Sequence, residues 1–201
     1  MLFRKDEIGR SRLVGYFKLM MDAQGENDIV CHYQDDFGIR QNVLNVGKIC
    51  EGWDGRFEFF YDETEGYVLT DYAANDKGWF VVSNKLRTIL KTMNTAIQFL
   101  PVRIIEINSK KIVEDYSIAN IIRVVDAFCL EKSKYFKTEI LGIGTVYTVS
   151  KYAIYAEKTE DSDVFKLANR QEIPIFVSER FKERIEEENV TGIYLREIEA
   201  V

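Results

Sequence analysis

WFVVSNKLRTILKTMNTAIQFLPV, residues 79–102, is the stretch from which the fold is read. Phe80-Val81-Val82 is a short apolar run with β-branched residues, which suits a buried strand. Ser83 stands where a helix N-cap belongs, its hydroxyl free to accept a backbone N–H two or three residues on. Leu86, Ile89, Leu90 and Met93 follow at helical spacing, so one face of that helix is apolar. Asn94 is placed to end the helix in the left-handed conformation. Ile97, Phe99 and Pro101-Val102 then read as a second strand, with the proline at a strand end or sheet edge.

Moved along by 95 positions, the pattern recurs without a gap. Ser83 falls on Ser178, Leu86 on Phe181, Leu90 on Ile185, Asn94 on Asn189 and Leu100 on Leu195. Residues 79–102 and 174–198 therefore both read as strand, serine cap, helix, asparagine stop, strand. A duplication produces this, and so does one common local solution used twice. A further, central helix is expected over Tyr116–Cys129, because Ile118, Ile121, Ile122, Val125, Phe128 and Cys129 fall on one helical stripe. The opening residues are polar, Leu13–Met20 reads as a strand, and Glu139–Tyr155 is β-rich around Gly142 and Gly144. The expected class is α+β, with mixed sheets, the strand–helix–strand unit twice and the central helix. The expected division is a β-rich region over 1–77, able to pack into the same domain, and an α+β domain over 78–201.

The chain has 201 residues, 46% of them hydrophobic, enough for a substantial core. A net charge of −6 argues against a general nucleic-acid binder. Cys31, Cys50 and Cys129 are odd in number and show no C-x-x-C spacing, so neither a disulfide framework nor a zinc site is expected. No apolar run approaches the roughly 18 residues that span a bilayer. Nor is there a signal-peptide core at the start, and a cytoplasmic protein is expected. His32 is the single histidine and has no second ligand at useful spacing.

The charge is concentrated. Between Asp54 and Asp76 stand seven acids and one base, interleaved with aromatics. RFEFFY (56–61) alternates as a half-buried strand does, Asp62–Gly66 reads as a hairpin turn, and Tyr67-Val68-Leu69 as the returning strand. One reading is a sheet with aromatics inward and acids solvated. The other is an acidic surface with aromatic anchors that docks on a basic partner, since aromatics are frequent hot spots and opposite potentials speed encounter. Its candidate contact residues are Trp53, Asp54, Glu58, Tyr61, Asp62, Glu63, Glu65 and Tyr67.

No Walker A, G-x-G-x-x-G, H-E-x-x-H or G-x-S-x-G motif is present, and no catalytic, cofactor-binding or metal-binding residue is assigned. Certain segments do resemble a family. Leu69-Thr70-Asp71-Tyr72, Phe80–Leu86, the QFLPV of 98–102 and the VVDA-x-x-LEKS of 124–133, with Val177–Phe181 and Val190–Ile193, are similar to immunity proteins of bacterial polymorphic toxin systems over about residues 67–199. The resemblance implies a non-enzymatic inhibitor that binds the toxin encoded beside it and covers its active surface, without a cofactor. A nuclease with a basic face is the kind of toxin this charge complements. The readings weighed against it are an enzyme with an unrecognised carboxylate or metal site, and a scaffolding subunit.

Overall fold

Ser83 and Ser178 each end a strand and open a helix. Each serine Oγ accepts the backbone N–H three residues on, from Leu86 at 3.2 Å and from Phe181 at 3.3 Å. In the computed structural model, which describes residues 3–5, 11–13, 15–142, 144–168 and 171–201, these caps sit in a mostly β chain. Part of the opening stretch, Val14 of the strand expected at 13–20, and Ile143 lie outside the described residues.

The elements run β1 (Phe3–Lys5), β2 (Ser11–Leu13), β3 (Tyr16–Met21), β4 (Val30–Cys31), a 3-10 turn (Gln41–Asn45), β5 (Glu58–Tyr61), β6 (Tyr72–Asn75), β7 (Val81–Ser83), α1 (Asn84–Leu90), β8 (Ile97–Glu106), β9 (Ile112–Ile121) and β10 (Val124–Val125). They continue with β11 (Lys134–Ile140), β12 (Gly144–Lys151), β13 (Ala153–Ile154), a second 3-10 turn (Ala156–Thr159), β14 (Val164–Leu167), β15 (Gln171–Ser178), α2 (Glu179–Glu187) and β16 (Ile193–Ala200).

Two six-stranded sheets carry the fold, in the orders β4-β6-β7-β9-β8-β5 and β10-β14-β15-β3-β16-β13. In both, the inner pairings are antiparallel and the two outermost are parallel. The two orders match strand for strand. β4, β6, β7, β8 and β5 correspond to β10, β14, β15, β16 and β13, and α1 to α2. The place of β9 is taken in the second sheet by β3, which comes from the other end of the chain. Ser83 pairs with Tyr116 on β9, and Ser178 pairs with Tyr16 on β3.

The expected α+β class with a central helix is overturned: the described residues hold two short helices in a mostly β chain, and 116–129 carries the end of β9 and all of β10 in place of a helix. β9 lies inside a sheet covered on both faces, and Tyr116 to Ile121 are all buried. A strand buried on both sides has no polar–apolar alternation to announce it, so its isoleucines fell on a helical stripe. Its β-branched residues favour the extended chain. The chain then passes from the first sheet to the second between Ile121 and Val124. The left-handed stop holds for Asn189, with φ 51°, but Asn94 is not among the positive-φ residues.

Three cores follow from this arrangement. The central one combines both helices with one face of each sheet, including Phe17, Phe80, Leu86, Ile121, Val177 and Phe181. The outer face of the first sheet packs around Phe57, Phe59, Trp79 and Ile118. The outer face of the second packs around Tyr16, Phe165 and Phe176. No helix among the described residues is long and apolar enough to cross a membrane.

A reciprocal pair of carboxylates ties the halves together. Asp71 accepts the Ser83 hydroxyl at 2.6 Å, Lys85 Nζ at 3.1 Å and the Thr191 backbone N–H, beyond the other helix, at 3.0 Å. Asp163 accepts the Ser178 hydroxyl at 2.7 Å, Arg180 at 3.2 Å and the Asn94 backbone N–H at 2.8 Å. The cations complete the exchange, Lys85 donating to the Asn189 carbonyl at 2.9 Å and Arg180 to the Thr92 carbonyl at 3.4 Å. Each aspartate thus supports its own helix cap and the turn after the other helix.

Ser178→Ala should cost about 1 kcal/mol of stability in urea unfolding, as loss of a cap does. Asp163→Ala should cost more, about 2–3 kcal/mol, because hydrogen bonds to a charged acceptor are lost together. The double variant should fall short of the sum, since the two groups are in contact.

Candidate partner-binding face

The candidate residues lie on and beside β5, the last strand in the order of the first sheet, whose Phe60 is bridged to His32 just past β4. Alternation along EFFY turns Phe59 and Tyr61 inward and leaves Glu58 and Phe60 half-buried. Phe57, fully buried, is the hub of an aromatic cluster. Trp53 stacks on it at 5.9 Å, Trp79 lies at 4.8 Å, and Tyr33 and Phe37 at 6.4 Å each. Into this cluster projects Lys77, 3% exposed, its ammonium 3.9 Å from the Tyr33 ring centre and 5.4 Å from that of Trp79. The ring faces attract the cation, and the Ile39 carbonyl accepts from it at 3.3 Å. The aromatic–acidic interleaving is thus largely a packed interior with a charged rim.

The expected return strand does not pair with β5. β5 runs parallel to β8, and Tyr67-Val68 bond instead to Asn27. Gly66 permits this approach, because a Cβ there would sit 2.8 Å from the Asp28 carbonyl oxygen.

The eight candidate residues separate by what they touch. Tyr61 is buried, and burial first, then the charges of Glu63 and Glu106, raises its phenol above the ordinary range. Trp53 is half-buried and donates its indole N–H to the Pro101 carbonyl at 2.9 Å. Glu58 is paired with Arg103, and Asp54 with Arg56. Asp62 accepts the Thr64 N–H at 2.8 Å and its hydroxyl at 2.7 Å, which shapes the turn and holds the carboxyl below its usual range. Glu63, Glu65 and Tyr67 remain exposed, with Tyr67 at 66%. Neither glutamate has an ion-pair partner among the described residues.

Glu106, which composition did not single out, lies beneath this turn. It accepts hydrogen bonds from Ser109, and from the Asn108 N–H at 2.9 Å, and these donors lower its carboxyl to about 2. Asn108 Nδ2 bridges Glu106 at 3.1 Å and Asp62 at 3.3 Å. The Asn108–Lys111 turn that follows it is readable from its composition, but nothing local signals that Glu106 is buried. Elsewhere, Cys31 is buried and its thiol is pushed up to about 12, by burial first and then by Asp76, which disfavours the thiolate a nucleophile needs. His32 instead faces Asp76 at 3.4 Å. Among the described residues no three His, Cys, Asp or Glu side chains gather as metal ligands do.

What remains outward is a small acidic and aromatic projection in the turn after β5, a feature suited to meeting another macromolecule. The model of an immunity protein family, Imm11, matches residues 15–200. The chain belongs to that family, and the match extends well before residue 67, where the resemblance began in the sequence. No curated protein matches the chain.

Glu106 makes stability pH-dependent. Its folded-state carboxyl titrates near 2 against an ordinary 4.5, so its contribution is present above about pH 4.5 and is lost as pH falls toward 2. Thermal unfolding of wild type should show Tm dropping across that window, and Glu106→Gln should flatten the drop while lowering Tm at neutral pH.

Proposed function

We propose that this chain is an immunity protein that binds the toxin domain encoded beside it and neutralises it by covering its active surface. The observation that carries the reading is the family membership over residues 15–200. It acts by occlusion, without a cofactor and without turning over a substrate, in the cytoplasm of the cell that makes the toxin. The toxin fitted by the charge of the chain is a nuclease with a basic substrate-binding face.

Glu63, Glu65 and Tyr67 are the primary contacts in this reading. Two exposed carboxylates, without an ion-pair partner among the described residues, stand beside an exposed tyrosine and supply a negative potential and an anchor. Asp54 and Glu58 lie at the rim, already paired within the chain, so they add little affinity. Trp53 and Tyr61 act beneath the contact surface as packing, and Asp62 shapes the turn.

Binding to the purified product of the adjacent gene, measured by calorimetry and stopped flow, tests this. Glu63→Lys/Glu65→Lys/Tyr67→Ala should weaken affinity at least tenfold with Tm unchanged. The wild-type association rate should fall as salt is raised from about 50 to 500 mM, because the contacts are solvent-exposed charges. Unchanged affinity in the folded triple variant counts against this face, and absence of any complex with the wild-type chain counts against the immunity reading itself.

A further inference from the structure

Residues 134–151 break the correspondence between the two halves. Between β4 and β5 the chain forms the loop that packs Tyr33, Phe37 and Trp53 onto Phe57. Between β10 and β13 it instead leaves the body as the hairpin β11–β12. Every residue of β11 is exposed. The two strands pair with each other and with no other strand among the described residues.

The register sorts the hairpin into two unlike faces. Phe136, Thr138 and Ile140 lie on one, opposite Thr148, Val146 and Gly144. From Phe136 to the turn that face carries no charged side chain; Lys134, paired in register with Lys151, stands at its base. Phe136 is 76% exposed, and Leu141, at the start of the turn, is completely so. The other face is internally braced, with the Tyr135 and Tyr147 rings edge-to-face at 5.1 Å and Lys137 paired with Glu139 at 3.2 Å. An isolated two-stranded hairpin is marginal in water, so large apolar side chains exposed on it call for a partner surface. A folded core gains nothing from Phe136 and Leu141 in these positions, whereas a partner does.

Area and charge decide what kind of partner. Seven residues at about 3.4 Å each and two strands give roughly 240 Å² per face. A stable interface needs about 800 Å² from each partner, so a second copy stacked on the Phe136 face falls well short. Insertion into a cleft covers both faces and the tip together, and brings the body of the protein against the rim. The hairpin holds Lys134, Lys137 and Lys151 against Glu139, opposite in sign to the −6 of the whole chain. Such a segment fits apolar walls with a neutral-to-acidic edge.

We propose that β11–β12 is a plug that enters an apolar, neutral-to-acidic cleft of the toxin this protein neutralises. The proposal rests on the immunity reading above and adds to it a second anchoring element, away from the face met by Glu63 and Glu65. The cleft differs in sign from the basic surface met by Glu63 and Glu65, so the two contacts fall on separate parts of the toxin.

The test uses the full chain and the purified product of the adjacent gene. Phe136→Asp/Leu141→Asp alters two exposed side chains and should leave Tm unchanged. Its affinity should drop at least a hundredfold, with loss of toxin inhibition. In a second measurement that needs no variant, backbone amides of 134–142 and 144–151 should become protected from hydrogen exchange when wild type binds. Wild-type affinity in the folded double variant, or hairpin amides that exchange as fast in the complex as in the free protein, overturns the plug and leaves the immunity reading standing. A wild-type chain that forms no complex removes both. A wild-type dimer that the double variant abolishes assigns the hairpin to self-association and overturns the proposal.

Discussion

Asp163 is 4% exposed, and each of its oxygens is claimed. One takes the Ser178 hydroxyl; the other takes Arg180 and the Asn94 backbone N–H. A buried carboxylate tolerates its loss of water when such donors replace it. The consequence is architectural. The group that caps α2 also fixes the turn leaving α1, and Asp71 does the converse. Neither helix can be set correctly without the other half in place, although α1 has seven residues and α2 nine and both are too short to be stable alone.

β3 reinforces this dependence. It sits between β15 and β16, near the opposite end of the chain, and its Phe17 and Leu19 enter the central core. The second sheet is therefore completed across almost the whole sequence. The shared topology of the halves, the paired serine caps and the exchanged aspartates all belong to one pseudo-symmetric plan. The 95-residue offset of the sequence is the linear trace of that plan. The parts that depart from it carry surface features: the aromatic loop and acidic turn in one half, the projecting hairpin in the other.

The sequence made some of this legible. Ser83 and Ser178 were readable as caps because capping is a local event, needing only a hydroxyl beside a helical run. Phe181 and Ile185 were readable as the buried face of α2 for the same reason. The region 116–129 was misread because Ile118, Ile121, Ile122 and Val125 satisfy a helical period, although Ile118 and Ile121 lie in β9, covered on both sides, and Val125 in β10. At the acidic stretch, composition located the charge but not its accessibility. Alternation suggested that some aromatics turned inward, yet nothing local said that Tyr61 would be buried while Tyr67 would not.

By itself, the sequence determined the strand–helix–strand segments, their caps, the acidic stretch and the family likeness, because each is set by neighbours within a few residues or by direct similarity. Tertiary structure alone decided that β3 completes a distant sheet, that Asp71 and Asp163 hold each other's helices, and that Phe136 and Leu141 stand out from the body. Those outcomes depend on which residues far apart in the chain remove one another from water. Burial and hydrogen-bond satisfaction belong to the assembled fold and leave no periodic mark on the chain.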